Sequence, residues 1–507
     1  MWAPASAVLL LLLNACAARE ADTEAGESTS ALTECTPTAM PFGGGAGTAV
    51  DPYRVCSSEQ LQRIGDAFAV RHYVITRDIA LDTAPLWSIQ RFVGHIDGRN
   101  HKLLGLKTVV DSTDERALFI RNDGVIENLR IEGARMKATA VLAVHNTGLV
   151  RNVTVSGILD GVYSTRWEGI LPGGVVGLND GDIVDVAFTG TVRGGGTIAH
   201  ANGVAGRIAH ARASGSVDGS GEAGGIVARN EGVIYDARFK GNVKGQFVGG
   251  LVGMAKSTSR MSDSVVSEAN LTTTEYVGAI AGELEGAGTI ERCAFTGSIP
   301  SSPSGYDYRG VLLGIGDRVA TRIRDSYAIA SRAGSWPEHP ADPARTSFVL
   351  LRSGDAPARA FVYGAADNAL RVVAPGDLAK AATFGDFSPT PWNLGGIAEY
   401  PRLRVESDGT SHVIATRIPV EKSYWQVQGA PRVLASNAAL GLTFPLQLFA
   451  VDGQSSRALA WLPQGEYTFE LLEPPFAAKE LEHYKNTGPM FIAPARQWTS
   501  PTVYGRP

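Results

Sequence analysis

Two stretches of this chain gather side chains that could recognise or cleave a sugar: Asp160-Gly-Val-Tyr163-Ser-Thr-Arg166-Trp167-Glu168 and Ser304-Gly-Tyr306-Asp307-Tyr308-Arg309. Aromatic rings stack on the apolar faces of sugars, and carboxylates and guanidinium groups bond their hydroxyls. Asp160, Glu168 or Asp307 could also act as acid and base in a glycosidase or lyase, if an external cleft held two carboxylates about 5–10 Å apart. The same residues would serve equally as plain loop excursions whose rings pack back on the body. A third set is Phe247, Tyr276 and Tyr308, each standing two residues ahead of a glycine-led strand. On successive turns of a repeat they would stack as a ladder, with Glu222 one turn earlier. Such a ladder ordinarily stabilises a sheet; exposed, it would form a platform for an extended glycan.

Other chemistries are missing from the sequence. The nine histidines include no His-Glu-x-x-His, and no Gly-x-Ser-x-Gly occurs. Gly43-Gly-Gly-Ala-Gly-Thr48 lacks the Gly-Lys-Ser/Thr ending of a phosphate loop, and the region up to Asp51 lacks the strict nonapeptide of calcium-binding solenoids. Calcium could bind only through scattered aspartates. There is no Cys-x-x-Cys, which argues against structural zinc. No catalytic residue, metal or cofactor is therefore assigned. A net charge of −5 gives no electrostatic case for nucleic acid.

The candidate positions must be held by a repeat. Between Gly124 and Ala330 one phrase recurs: glycine, any residue, aliphatic, any, polar, then a short strand. Its eight copies begin at Gly124, Gly148, Gly181, Gly206, Gly232, Ser259, Gly288 and Thr321, with spacings of 24, 33, 25, 26, 27, 29 and 33 residues, the length of one solenoid coil. Two columns are apolar throughout. Ile126, Val150, Ile183, Ile208, Ile234, Met261, Ile290 and Ile323 form one, and Ile131, Val155, Phe188, Ala213, Phe239, Val266, Phe295 and Ala328 the other. Both should stack as the interior. A third column, Asn128, Asn152, Asp185, His210, Asp236, Asp263, Arg292 and Asp325, is polar throughout. It reads as a turn whose side chain bonds a backbone group or its stacked neighbour, not as a catalytic row. A second, glycine-led strand such as Gly249-Gly-Leu-Val-Gly253 is shared by the coils. The expected fold is all-β: a right-handed parallel β-helix with a small C-terminal β-domain. The 59 glycines fit tight turns in register rather than low complexity. The long insertions carrying Tyr163 and Tyr306 both fall between the polar-column strand and the glycine-led strand, which would project them from one side.

Gly249-Gly-Leu-Val-Gly253 and Gly174-Val-Val-Gly-Leu-Asn-Asp-Gly-Asp-Ile183 resemble the GLUG motif, a repeat of bacterial secreted and cell-surface proteins. The opening, Phe42-Gly-Gly-Gly-Ala-Gly-Thr-Ala-Val-Asp-Pro-Tyr53 with Phe92-Val-Gly-His-Ile-Asp-Gly-Arg-Asn-His101, also resembles what precedes such repeats. So does the close, Ala382-Thr-Phe-Gly-Asp-Phe387 with Pro391-Trp392 and Tyr400-Pro-Arg-Leu403. The resemblance covers about 42–404. It implies the solenoid architecture, in adhesin-like proteins or in ancillary parts of surface enzymes.

The ends of the chain address a compartment. An apolar run of five leucines ends in Leu13-Asn14-Ala15-Cys16, which resembles a bacterial lipobox; the run is too short to span a bilayer. Lipidation of Cys16 would hold the protein on a membrane surface. The alternative is a plain secretory signal, and either route exports the chain. Cys35 and Cys56 could pair in an oxidising compartment, whereas Cys293 reads as a buried free thiol. A helix around Glu59–Phe68, capped by Ser57 or Ser58, would cover the open end of the solenoid, with a strand at Tyr73–Ile79 after it. Trp392 and Tyr400 read as cap residues. The expected division is a signal peptide at 1–15, anchor and tether at 16–41, cap and first coils at 42–123, and repeats with their exit cap at 124–404. A linker at 405–418 and a small β-domain at 419–507, with strands at Ser423–Val427, Leu442–Val451 and Gly465–Leu472, complete it. With the resemblance, this implies a surface-anchored lipoprotein whose solenoid recognises extracellular polysaccharide, or a matrix or envelope protein. A carbohydrate-active enzyme and a non-binding envelope scaffold are the alternatives.

Overall fold

The computed structural model describes residues 35–330 apart from 66–70, 82–87, 109–115, 162–171, 257–258, 300–307 and 318–320. Beyond these it describes a set of short strands and one helical turn between 345 and 499. Residues 35–330 form a parallel β-solenoid. Each coil contributes long strands such as Val125–Ala138, Leu149–Gly161, Asp182–Arg193 and Arg238–Gly249 to one continuous sheet. A shorter strand from each coil, from Ile89–Phe92 through Ala143–Asn146 and Val227–Asn230 to Leu313–Asp317, stacks into a second sheet.

The columns read from the sequence are the physical register. Ile126 pairs with Val150, Val150 with Ile183, and the pairing continues through Ile208, Ile234, Met261 and Ile290 to Ile323. The second apolar column pairs in the same way from Ile131 to Ala328. Both columns are buried throughout and belong to one contiguous core. A one-residue slip in any coil would turn its apolar set outward, so burial itself fixes the register.

The polar column marks a corner. All eight of its residues, from Asn128 to Asp325, have φ between 45° and 56°, the left-handed region. Asn and Asp enter that region most readily. His is also enriched there, whereas Arg292 is not, and both are held by bonds to the next coil or the one before. His210 Nδ1 lies 2.8 Å from Asp236 Oδ2, and Arg292 donates two bonds of 2.7 Å to Asp263. Burial pushes His210 below its usual range. Burial opposes ionisation of Asp236 as well, yet the His210 bond and the Arg212 charge hold its carboxyl below the ordinary value. The corner thus stacks polar groups from successive coils, several of them bonded to each other, as Asn152 is to Asn128.

The glycine-led segment is a fold-back of main chain on main chain. A Cβ on Gly249 would lie 1.8 Å from the Val252 carbonyl oxygen, and one on Gly250 2.2 Å from that of Ala279 in the next coil. One on Gly253 would lie 2.7 Å from the Ala223 amide nitrogen of the preceding coil. No side chain fits such approaches in this coil, and the Gly249 place stays glycine in its neighbours Gly224, Gly278 and Gly310.

Just before each of the first five repeat starts a buried asparagine joins a ladder. Asn122 donates to Asn146 (2.7 Å), Asn146 to Asn179, Asn179 to Asn202 and Asn202 to Asn230 (2.8 Å each), and Asn230 to Ser259 Oγ. All five asparagines are at 0% exposure. From Asn146 onward each spends its second N–H on a nearby main-chain carbonyl, such as Gly181 for Asn179.

The first coils are closed by aromatic packing. Phe42 stacks on Tyr53, and the contacts continue through Tyr73, Phe92 and Phe119. The helix is shorter than the sequence suggests, Ser58–Gln62, with the Ser57 side chain accepting from the Gln60 amide; 66–70 lie outside the described residues. Leu61 and Ile64 join the core. The expected strand at Tyr73–Ile79 is two, His72–Ile75 and Ile79–Ala80. Cys35 and Cys56 are joined by a disulfide, and buried Gln60 donates to the carbonyls of Thr36 and Ala39. The folded body therefore includes 35–41, ahead of Phe42 where order was expected to begin.

At the far end strand direction reverses. Arg359–Tyr363 pairs antiparallel with Ser326–Ala330, and Leu370–Val373 antiparallel with that strand. Phe384 is buried edge-on against Tyr327. Trp392–Asn393 pairs with Arg402–Leu403, whereas Tyr400 lies outside the described residues. The C-terminal strands form a separate, mainly antiparallel sheet that includes Leu442–Asp452 and Gly465–Leu471. His412–Ile418, inside the stretch expected as linker, is a strand of that sheet paired with Ser455–Leu459. The expected strand at 423–427 lies outside the described residues.

Candidate functional site

Of the residues singled out for sugar recognition, the structure describes Phe247, Tyr276 and the backbone of Tyr308. Tyr163, Trp167, Glu168, Tyr306 and Asp307 lie outside the described residues, but the chain on either side of them does not. Ile158 and Ser298 share one column, through Thr191, Ser216, Asn242 and Asn270. On the return, Gly173 and Gly310 share another, through Gly196, Gly224, Gly249 and Gly278. Both insertions therefore leave and rejoin the coil at the same corner, as the sequence suggests.

The aromatic ladder is in register: Glu222 pairs with Phe247, Phe247 with Tyr276 and Tyr276 with Tyr308. Phe247 and Tyr276, both half-buried, are stacked with 4.9 Å between ring centroids and 8° between planes. Their facing surfaces cover each other and cannot also cover a sugar. Glu222 is held by Arg229 Nη2. Burial works to raise its carboxyl, but the Arg229 bond and charge prevail and keep it below the usual range.

Beside the ladder the long sheet presents an outward face of small polar and charged residues. Thr189, Ser214, Lys240 and Ser267 form one column. Thr191, Ser216, Asn242 and Asn270 form the next. Alternate positions such as Phe188, Val192, Val217 and Val243 turn inward and are buried, the two-residue period of a strand with one face packed. At the edge of this face Asp160 is ion-paired with Arg193, and Asp218 lies 3.5 Å from Lys244. A trough of about 420 Å³ opens there across three coils, between Asp218, Lys244 and Thr272 on one wall and Ser220, Gln246 and Thr274 on the other.

Among the described residues no group of three His, Cys, Asp or Glu side chains could hold a metal ion. Burial pushes the Cys293 thiol up to about 12, so it is neither a nucleophile nor a ligand at neutral pH. The sequence reading missed both the trough and the asparagine ladder. The ladder had a signal, an Asn two residues before four of the repeat-opening glycines (Gly124, Gly148, Gly181 and Gly232), but Asn-x-Gly reads first as a surface turn. The trough had none, because its walls come from three different coils.

Fold and site define a parallel β-solenoid with a polar outward face and a corner trough. No family model matches the chain. Halomucin of Haloquadratum walsbyi is 30% identical over 142 residues, covering 23% of this chain and 2% of halomucin. The chain thus spans only a small part of that relative. A solved structure from Bacteroides ovatus, described provisionally as an immunoglobulin A1 protease, shares 16% identity at a TM-score of 0.34, covering 54% of this chain and 87% of that one. The fold stands on the chain's own strand register rather than on that likeness.

Proposed function

We propose that this chain is an extracellular binding rod that recognises a repetitive polymer, a polysaccharide foremost, from the surface of the cell envelope. The observation that carries the reading is the outward face, where small hydroxyl, amide and charged side chains recur in register on successive coils, about 4.8 Å apart. A rigid face with a repeating pattern matches a ligand that repeats. The resemblance of the glycine-led strands to the GLUG motif supports a surface setting, as does the Cys35–Cys56 disulfide, which persists outside a reducing cytosol. Lipidation at Cys16 is the proposed means of attachment; that residue lies outside the described ones. No helix among the described residues is long and apolar enough to cross a membrane.

Binding is favoured over cleavage because Asp160, a candidate acid or base, is engaged by Arg193. The experiment is an array of glycans and matrix proteins probed with the full chain, followed by incubation of any hit to look for depolymerisation. Glycan binding without cleavage supports the reading. Cleavage replaces it with a carbohydrate-active enzyme, capture of proteins alone replaces the polysaccharide, and a blank array leaves a non-binding envelope scaffold.

A further inference from the structure

We infer that the corner trough bounded by Asp218, Ser220, Lys244, Gln246, Thr272 and Thr274 is a subsite for an electrically neutral, hydroxyl-rich glycan lying along the solenoid axis. The inference rests on the polysaccharide reading above and names where and what that ligand is.

The trough runs across coils because of side-chain parity. Asp218, Lys244 and Thr272 are exposed on one wall; on the other stand Ser220 and Thr274, exposed, and Gln246, half-buried. The residues between them, Gly219, Gly245 and Thr273, turn inward: a Cβ on Gly245 would meet the Ala223 Cβ at 2.8 Å, and Thr273 is buried. The floor is therefore main chain, approachable by a ligand without a side chain in the way. The register shifts between Gly245 and Phe247, where the neighbouring strand carries an extra residue. A bulge of this kind re-aims the side chains around it, here Thr274 and Glu275, and Gln246 Nε2 donates to Glu275.

The chemistry of the walls selects the occupant. Every wall side chain ends in a hydroxyl, amide, carboxylate or ammonium group, so each can hydrogen-bond a ligand hydroxyl. The charges, one carboxylate and one ammonium, lie 3.5 Å apart and compensate each other, which leaves no excess charge to recruit a polyanion. A peptide strand would need main-chain partners, yet those of the floor are engaged. The Gly219 amide donates to Lys244, the Gln246 amide to Gly221, and Thr273 Oγ1 donates to the Gln246 carbonyl. What remains is hydroxyl-to-hydroxyl, hydroxyl-to-amide and hydroxyl-to-carboxylate recognition, the pattern that suits neutral sugars.

The test is affinity electrophoresis of the full chain in gels containing neutral polysaccharides (a glucan, a mannan, a xylan) or anionic ones (alginate, heparin). Wild type is compared with Thr274→Arg, Gln246→Ala and Lys256→Ala, the last a control whose ammonium is held by Glu285 outside the trough. The melting temperature of each variant is checked first. The expected result is retardation by a neutral polysaccharide that weakens about tenfold or more in Thr274→Arg and Gln246→Ala but not in Lys256→Ala. Equal retardation of all four proteins by a neutral polysaccharide overturns the trough as the site and leaves polysaccharide binding intact. Retardation by the anionic gels alone overturns the neutral ligand. No retardation of wild type in any gel removes the polysaccharide reading itself, and the subsite with it.

Discussion

Phe247 and Tyr276 face each other from adjacent coils, their planes within 8° of parallel. Each ring is partly covered by the other, so the pair strengthens the contact between coils and presents edges rather than faces to solvent. Replacing Tyr276 by Ala is expected to lower stability by about 1–3 kcal/mol, a half-buried aromatic truncation with loss of its stacking partner. The urea midpoint measures this. Polysaccharide affinity should stay put; a loss of affinity at unchanged stability would make the ladder, not the trough, the platform.

A sharper stability effect is expected from the asparagine ladder. Asn179→Ala removes the acceptor of Asn146 Nδ2 and the donor to Asn202 Oδ1 at 0% exposure. One N–H of Asn146, whose other N–H keeps its bond to Gly148, and the Asn202 carbonyl oxygen would then lack partners, at about 1–3 kcal/mol each. Chemical denaturation of Asn179→Ala beside an exposed replacement such as Asn242→Ala tests the contrast, and equal midpoints would show the ladder to be energetically idle.

The Glu127 carboxylate makes acid stability predictable. Burial alone would raise its pKa, but the His95 bond and the charge and bond of Arg151 hold it at about 2, against 4.5 for the free group. Because the folded-state value is the lower one, the unfolded chain takes up the proton first as pH falls. The stabilisation is complete above pH 4.5 and is lost between there and about 2, on the order of 3 kcal/mol in all. Glu127→Gln should flatten this part of a stability–pH profile while lowering stability at neutral pH. An unchanged slope would sink the assignment.

Glycines of different surroundings should respond oppositely to the same methyl group. At Gly250 a Cβ would sit 2.2 Å from a carbonyl oxygen, whereas at Gly221 nothing lies within 4 Å. Gly250→Ala is expected to disrupt folding or cut soluble yield. Gly221→Ala should be neutral or stabilising by about 0.4–1 kcal/mol through the unfolded chain. Thermal melts of the two proteins decide it.

Much of the scaffold was legible because a solenoid writes its cross-section once per coil. Ile126 through Ile323 recur at a fixed offset from the repeat start, and stacking turns that offset directly into register. The polar column was legible as a turn, though not as a left-handed one, since Arg292 is a poor residue for that conformation and is held there by Asp263 of the preceding coil. Helix and linker boundaries were less visible. Nothing local to Gln62 or His412 marks where a helix ends or a strand begins; pairing with distant segments does. The site was legible only as a corner. Tyr163, Trp167 and Tyr306 pointed to it, but the trough depends on Asp218, Lys244 and Thr272 standing side by side from three coils, and no single stretch of sequence contains that neighbourhood.

The reversal of strand direction at Arg359–Tyr363 has a consequence for how copies of this molecule can associate. A bare parallel coil is a template on which an identical coil can dock in the same sense, and docking repeated head to tail grows a filament without limit. Here the last parallel strand, Ser326–Ala330, is already occupied by an antiparallel one, and the outermost strand, Leu370–Val373, is only four residues long. An incoming first coil would meet the wrong polarity on a short edge. Among the described residues, that end of the solenoid therefore offers a second copy no long parallel edge on which to continue the same sheet.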